Sequence, residues 1–213
     1  MSLPLIPFYF VRHGETEANV AFQVAGHLDS PLTKRGQQQA KQVAKVVEAL
    51  DNKPRKIFHS DLSRARDTAY AINEILSVDI FEHEGLREHH FGIFEGHDVW
   101  DDVFQILRRD ERPEGGESRN DFKQRLIKVF NEIIVEQESP ILITAHGGFA
   151  HQIQRLFGQD GHFMIDNCHL HYFEPWEENE HAPWKVYVFD IDNDGEIKKR
   201  AADWCPSIVG MRE

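Results

Sequence analysis

Arg12, His13 and Gly14 stand directly after a short apolar run at residues 5–11. The run is aromatic and uncharged, which predicts a strand buried on both faces of a sheet. In open α/β sheets the functional groups lie beyond the carboxyl ends of the strands. There Arg12 could bind an oxyanion through two parallel hydrogen bonds, a neutral His13 could act as a nucleophile, and Gly14 would let a ligand approach the backbone. The triplet suits a phosphoryl group, although an Arg–His pair at a strand end is, by itself, more often simply solvated.

The same order of residue types recurs later in the chain. A second apolar run, residues 140–145, ends in His146 followed by Gly147 and Gly148, and an amphipathic segment begins there. This repeats the strand, histidine, glycine and helix order of the first segment, which strengthens the hypothesis of a site for a phosphoryl group.

Two further charged residues occupy informative positions. Arg64 falls in the first turn of a predicted helix, where the helix dipole favours a carboxylate over a cation. Its presence there indicates either anion binding beside free backbone amides or an ion pair with Asp61 or Asp67. Glu88 lies beyond the apolar segment at residues 78–81, where its carboxyl group would be available as an acid.

Six segments resemble, in the same order, the motifs of the histidine phosphatase superfamily, also called phosphoglycerate mutase-like. The hallmark of that family is Arg-His-Gly followed by Glu or Gln, then Thr or Ser, and later Asn, which this chain has at residues 12–19. The resemblance covers residues 8–148, about two thirds of the chain. The other matching segments are residues 26–36, 60–69, 86–96, 113–118 and 144–148.

The resemblance implies a two-step phosphoryl transfer that uses neither a metal nor another cofactor. His13 would attack phosphorus and form a phosphohistidine, and Glu88 would protonate the leaving oxygen and later accept a proton from water. Cationic and hydrogen-bonding groups would hold the phosphoryl oxygens. The implied catalytic residues are His13, Glu88, Arg12, Arg64 and His146, and the implied substrate-binding residues are Arg12, Asn19, Gly26, Arg64, His146 and Gly147.

Apolar stripes at helical spacing alternate with short apolar runs along the chain. This alternation predicts an α/β fold, a three-layer sandwich whose mostly parallel central sheet is flanked by helices on both faces. We expect one domain over residues 1–213, with a small cap or insertion around residues 92–120. Predicted strands lie at residues 55–59, 141–144, 170–173 and 185–191. Predicted helices follow Thr33 and Ser63 and span residues 120–136.

The bulk composition agrees with a soluble enzyme, which we expect in the cytoplasm. A formal charge of −12 argues against nucleic acid as a partner, because a phosphate backbone requires a basic face. The two cysteines, Cys168 and Cys205, form no C-x-x-C pair and favour a reducing compartment. No apolar stretch reaches the ~18 residues that a membrane span needs. The expected partner is a small phosphorylated substrate, and the sequence does not indicate an oligomeric state.

Within the family, the sequence favours a phosphatase over a phosphoglycerate mutase. Mutases usually carry a longer helical insertion between the fourth and fifth matching segments, and they resemble one another in having Arg where this chain has His89. Arg108, Arg109 and Arg112 could still bind a second anion. A mutase or a bisphosphate-specific phosphatase therefore remains an alternative.

Two other interpretations are weaker. A module that only binds phosphorylated partners would not need both a nucleophile and an acid. A metal site is the second: histidine positions such as His89, His90 and the pair His169 and His171 lack acidic or thiol partners at metal-ligand spacing.

Three aromatic residues lie near the expected entrance of the site: Phe22, Trp100 and Phe104. They either favour a substrate with an apolar part or simply pack the cap.

Overall fold

The computed structural model describes residues 6–134, 140–156, 161–163, 165–176, 184–192, 194, 196–202 and 204–206. The strands in these ranges are β1 (Phe8–Arg12), β2 (Lys56–His59), β3 (Asp79–Glu82), β4 (Ile141–Ala145), β5 (Gly161–Phe163), β6 (Leu170–Pro175), β7 (Trp184–Ile191), β8 (Ile197–Ala201) and β9 (Trp204–Pro206). The α-helices are α1 (Glu17–Val20), α2 (Lys34–Glu48), α3 (Ser63–Leu76), α4 (Trp100–Arg109), α5 (Arg119–Ile134) and α6 (Gly147–Leu156).

Seven of these strands form the central sheet, in the order β3-β2-β4-β1-β6-β7-β8. The four strands from β3 to β1 run parallel to one another, whereas β6, β7 and β8 extend the sheet through antiparallel pairings. Strands β5 and β9 pair separately as a small antiparallel sheet. The parallel half provides the carboxyl ends where an α/β fold places its site.

Helices cover both faces of the sheet. Along β1, Phe8 and Phe10 join a cluster that includes buried side chains of α5 and α6, while Tyr9 and Val11 join a second cluster with α2 and α3. Successive residues of a strand point to opposite faces, so β1 is buried on both. Burying a large apolar side chain contributes roughly 1.5–3 kcal/mol. The expected α/β three-layer sandwich is confirmed.

The apolar stripes of helices α2 and α5 are buried. Helix α2 begins after Thr33, whose side chain accepts a hydrogen bond from the Gly36 amide and so caps the helix. The buried residues are Ala40, Val43, Ala44 and Val47 in α2, and Phe122, Leu126, Val129, Phe130 and Ile133 in α5.

Within the described ranges, no helix is long and apolar enough to cross a membrane.

The register of the parallel strands brings two strand ends together. Arg12 at the end of β1 pairs with Ala145 at the end of β4. The next residues are His13 and His146, and the His13 amide donates to the Ala145 carbonyl at 3.0 Å. Strand β2 lies on the other side of β4, and α3 begins shortly after it. The topology therefore brings three segments that are distant in sequence to the carboxyl ends of the parallel strands.

Residues 92–120, the predicted cap or insertion, contain a short 3₁₀ turn at Gly92–Phe94, helix α4 and the start of α5. Val103 of α4 packs with Val24 and Phe91 in a small core separate from the two main clusters. The division of the chain into one domain with a cap stays a prediction.

Candidate active site

His13 and His146 lie side by side beyond the carboxyl ends of the neighbouring strands β1 and β4. Their ring centroids are 5.2 Å apart, and both residues are buried. The His13 Nδ1 atom lies 2.8 Å from the Gly14 carbonyl oxygen. Because a carbonyl oxygen can only accept, Nδ1 carries the proton and the Nε2 lone pair is left available. His13 is thus held in the tautomer that a nucleophile requires.

Both imidazoles are neutral near neutral pH. Burial and the nearby cations Arg64 and Arg12 hold the pKa of His13 well below its usual value of 6.5. Burial and Arg64, together with the His13 ring and Arg12, lower the pKa of His146 well below 6.5. A neutral His13 can use its lone pair without first losing a proton.

Arg64 is the largest fully buried side chain of the described residues, and backbone carbonyls fix its orientation. Its two terminal nitrogens donate to the Leu28 carbonyl at 2.9 Å and the Gly26 carbonyl at 2.7 Å. Its Nε donates to His146 Nδ1 at 3.3 Å. His146 therefore accepts at Nδ1 and carries its proton on Nε2. Asp61 pairs with Arg87 and Asp67 with Arg66, so the alternative that Arg64 serves an ion pair with either aspartate is wrong.

Two buried N–H groups at this end of the parallel strands are unsatisfied. Among the described residues, neither Nε2 of His146 nor Nε of Arg12 has a hydrogen-bond partner. Arg12 is oriented by a hydrogen bond from one terminal nitrogen to the Ile165 carbonyl at 2.9 Å. A buried donor without an acceptor costs about 1–3 kcal/mol, and such groups in native proteins commonly serve a ligand. Donors of this kind fit an oxyanion.

The Glu88 carboxylate reaches the same site from the segment after the 3₁₀ turn Glu84–Leu86. One oxygen accepts from the His89 amide at 2.9 Å, and the other accepts from the Gly148 amide at 3.0 Å, at the start of α6. Among the charges that act on the guanidinium groups of Arg12 and Arg64, Glu88 has the largest effect, and it raises the pKa that burial lowers. The structure thus brings all five predicted catalytic residues together.

Of the other predicted substrate-binding residues, Gly26 and Gly147 lie against this group, and Asn19 is linked to it through Asn167. Asn19 completes a capping box with Thr16 at the start of α1, and its side-chain oxygen lies 3.4 Å from Asn167 Nδ2. Gly26 has a positive φ of 52° and presents its carbonyl to Arg64. A Cβ atom on Gly147 would lie 3.7 Å from the Arg12 guanidinium carbon. Their roles toward a substrate stay predictions.

The sequence analysis did not predict the residues that hold the main chain around the nucleophile His13. Asn167 donates to the His13 carbonyl at 2.8 Å, and the Cys168 amide donates to the Arg12 carbonyl at 2.9 Å. Both lie in a turn before β6, outside every matching segment, where no local pattern indicates a role. Thr68 lies inside a matching segment, and its hydroxyl accepts from the Gly14 amide at 3.1 Å. Burial raises the pKa of the Cys168 thiol to about 12, so this cysteine is not a thiolate.

The structure also shows the surroundings of the residues that the sequence offered for a metal site and for a second anion. No group of three His, Cys, Asp or Glu residues that could hold a metal ion occurs in the described part of the chain. Of the three arginines that could bind a second anion, Arg112 pairs with Asp121 at 2.7 Å and Arg109 lies 3.8 Å from Glu111.

The aromatic residues expected near the entrance contact one another. The Trp100 indole donates to the Phe22 carbonyl at 2.9 Å, and the Trp100 and Phe104 ring centroids are 6.0 Å apart. The Phe22 residue is nevertheless 73% exposed. The cluster is therefore both a packing unit of residues 92–120 and an exposed apolar surface.

Known proteins resemble this chain in sequence and in fold. A family model described as the histidine phosphatase superfamily (branch 1) matches residues 8–185. Glucosyl-3-phosphoglycerate phosphatase of Mycolicibacterium vanbaalenii is 32% identical over 154 residues, which are 65% of this chain and 68% of that protein. A Serratia proteamaculans protein named "probable phosphoglycerate mutase GpmB" is 28% identical over 208 residues, which are 91% of this chain and 94% of the relative.

Solved structures agree. The α-ribazole phosphatase from Shigella flexneri superimposes with a TM-score of 0.70 at 26% identity, over 85% of this chain and 95% of that one. A mycobacterial glucosyl-3-phosphoglycerate phosphatase solved with VO3 gives a TM-score of 0.68 at 26% identity, over 84% of this chain and 96% of the other. The family predicted from the motifs is confirmed. This chain belongs to the histidine phosphatase superfamily.

Proposed function

We propose that this protein is a phosphatase that hydrolyses a small organic phosphomonoester through a phosphohistidine on His13. The observation that carries the proposal is the contact of the His13 ring: the buried, neutral imidazole donates its Nδ1–H to the Gly14 carbonyl, which leaves the Nε2 lone pair free. In the first step this lone pair forms a bond to phosphorus while the bond from phosphorus to the leaving oxygen breaks. In the second step water displaces the histidine and releases inorganic phosphate.

Arg12, Arg64 and His146 hold the phosphoryl oxygens in this proposal. The unsatisfied Nε of Arg12 and Nε2 of His146 supply hydrogen bonds, and both guanidinium groups supply positive charge where the transition state gathers negative charge. Their neighbours fix their orientation before any substrate arrives, so little reorganisation accompanies the reaction. No metal takes part.

Glu88 moves the protons. It protonates the leaving oxygen in the first step and accepts a proton from the attacking water in the second, a role worth about 10²–10⁴ in rate. Its position between the His89 and Gly148 amides supports this role. Asn19, Gly26 and Gly147 complete the substrate-binding group.

The relatives support the substrate class. Two of them are named for phosphatase activity, on glucosyl-3-phosphoglycerate and on an α-ribazole ester, and both names indicate organic phosphates. The exposed Phe22, whose main-chain carbonyl accepts a hydrogen bond from the Trp100 indole, favours a substrate whose leaving group has an apolar part. We place the enzyme in the cytoplasm, on the evidence of its composition.

The test is phosphate release from a panel of phosphomonoesters, measured in the presence of EDTA, with wild type and His13→Ala. We expect wild type to release phosphate from at least one ester and His13→Ala to lose at least ~10³-fold, because the nucleophile is gone. Brief incubation with a ³²P-labelled ester should give an acid-labile label on wild type and none on the variant. Near-normal turnover by His13→Ala would refute the assignment of the nucleophile.

A phosphoglycerate mutase is the second candidate. The relative named for that activity aligns over 91% of this chain, which is the observation in its favour. The ion pairs of Arg109 and Arg112 weigh against a second anion site among these residues. An assay of 2- and 3-phosphoglycerate interconversion, run beside the phosphatase panel, separates the two: interconversion faster than phosphate release would favour the mutase.

A further inference from the structure

Arg125 on α5 directs its guanidinium group into the segment that carries Glu88. One terminal nitrogen donates to the carbonyls of Gly85 at 2.8 Å and Arg87 at 2.9 Å. The other donates to the Glu88 carbonyl at 3.0 Å. A single side chain thus holds three carbonyls in a stretch of four residues.

The remaining two donors of Arg125 bind the Glu117 carboxylate. Its Nε lies 3.2 Å from one Glu117 oxygen, and a terminal nitrogen makes a short contact with the other. All five N–H groups of Arg125 therefore have acceptors. The two side chains are only 23% and 14% exposed, and the guanidinium carbon lies 4.9 Å from the centroid of the Phe122 ring. A lysine could not reproduce this arrangement, because it has three donors and no planar fork.

Glu117 holds the other end of the same segment. One of its carboxylate oxygens accepts from the His90 amide at 3.0 Å, and its own amide donates to the His90 carbonyl at 2.9 Å. Its carbonyl accepts from His89 Nε2 at 2.8 Å. The Arg125–Glu117 pair thus fixes the backbone on both sides of Glu88.

The backbone position of Glu88 decides where its carboxylate lies relative to His13. The carboxylate reaches the Gly148 amide at 3.0 Å only if the backbone of residue 88 stays in place, and a displacement of about 1 Å can cost 10²-fold in rate. We propose that Arg125, through its pair with Glu117, is a positioning residue for the proton donor Glu88. This inference rests on the proposed function, in which Glu88 protonates the leaving oxygen.

The test compares two esters that differ in their need for a proton. An alkoxide such as that of glycerol phosphate leaves poorly without protonation, whereas p-nitrophenolate leaves readily. We measure kcat/KM, which reports the steps up to departure of the alcohol. For Arg125→Lys we expect about a 100-fold loss with glycerol phosphate and less than a ~3-fold loss with p-nitrophenyl phosphate. The matched control Arg200→Lys on β8, at an exposed ion pair with Asp190, should change neither value.

Equal losses with both esters would show that Arg125 has only a structural role, and no loss with either would show that it has none; both outcomes overturn the inference. If Arg125→Lys does not fold, Glu117→Gln serves as the second variant, with the same selective loss expected. Glu88→Gln separates the inference from the proposed function. A selective loss in Glu88→Gln without one in the Arg125 and Glu117 variants contradicts the inference alone, whereas a non-selective loss in Glu88→Gln contradicts the acid role itself.

Discussion

The side chains of the site are held in place by groups that do not react. Arg64 uses three of its five N–H groups on the Gly26 and Leu28 carbonyls and on His146, which leaves two for a ligand. Arg12 and His13 are anchored in the same way, on the Ile165 and Gly14 carbonyls. Such fixed donors stabilise a developing charge more than mobile ones do, because they need not reorient during the reaction.

Gly148 is the residue where this precision can be tested directly. A Cβ atom on Gly148 would lie 2.0 Å from a Glu88 carboxylate oxygen, and Gly148 donates its amide to the other oxygen. Gly148→Ala must therefore displace the proton donor. We expect kcat/KM for an alkyl phosphate to fall by about 10²-fold or more while binding of inorganic phosphate changes little. The measurement is steady-state kinetics together with competitive inhibition by phosphate.

A double-mutant cycle provides the control for Gly148→Ala. If the added methyl group acts through Glu88, it should cost little more once Glu88→Gln has removed the acid, so the two losses will not add. Additive losses would mean that the methyl group disturbs another part of the site, for example through Phe122, whose ring carbon would be 3.3 Å away.

The sequence identified side chains with recognisable chemistry and missed those that act through the backbone. His13, Arg12, Arg64, Glu88 and His146 occur in ordered motifs, and the structure gathers all of them. Asn167 and Arg125 contact main-chain carbonyls of distant segments. Every residue has such a carbonyl, so a sequence pattern does not indicate which of them a side chain contacts. Only the fold shows which carbonyl each side chain reaches.

At the scale of elements, the start of α2 packs directly against the loop after β1 that carries His13. A Cβ atom on Gly36 would lie 2.0 Å from the Glu15 carbonyl oxygen, and one on Gly14 would lie 2.5 Å from the Gly36 carbonyl oxygen. Both neighbours are backbone atoms, which cannot rotate away as a flexible side chain can. The two glycines therefore set the distance between α2 and the loop that carries His13.

Gly36→Ala sets two effects against each other. Helix propensity alone would make the alanine variant more stable by about 0.5–1 kcal/mol. Overlap with the Glu15 carbonyl acts in the opposite direction, and overpacking of this kind typically costs about 1–3 kcal/mol. We expect the contact to dominate, so that the variant unfolds at lower urea concentration and loses activity.

Gln38→Ala is the matched control for this element, because it is an exposed substitution in the same turn of α2. It should change the urea midpoint little. A Gly36→Ala protein that is more stable than wild type would show that the loop moves away from α2 at no cost.

The parallel half of the sheet was predictable from the sequence and the antiparallel half was not predicted. The predicted strands at residues 170–173 and 185–191 are found as β6 and β7, but their antiparallel direction was not anticipated. The available signal was the connection between them, which is shorter than the ~12 residues that a parallel crossover needs. Edge strand β8, with the sequence IKKRA, has too few apolar residues to show a strand pattern.

Over the whole molecule, acidic residues outnumber basic ones by 36 to 24, yet the site is cationic. Interactions between surface charges are largely screened beyond about 8 Å at physiological salt. The buried guanidinium group of Arg64 and the half-buried one of Arg12 are screened less, because less water surrounds them. Affinity for an anionic substrate is therefore a local property of these two arginines.

Five histidines in buried or half-buried positions make the stability of the whole molecule depend on pH. Burial is the first cause that lowers the pKa of each of them, and for His27 and His171 the pKa falls to about 4. The unfolded chain binds protons with the usual pKa of about 6.5, so below that pH the unfolded state binds more protons and stability falls. The histidines concerned are His13, His27, His89, His146 and His171.

We expect the urea midpoint to fall steadily between about pH 6.5 and pH 4, with an unchanged m-value, because the free energy of unfolding falls by up to ~1.4 kcal/mol per pH unit for each fully buried histidine. Asp61 and Asp121 have pKa values lowered from 3.8, so the stability they add is lost only below that value, outside this window. His171→Gln removes one titrating group away from the phosphoryl site and should make the slope shallower. An equal slope in this variant would show that His171 does not contribute to the pH dependence. A midpoint independent of pH in wild type would show that the histidines have the same pKa in the folded and the unfolded protein.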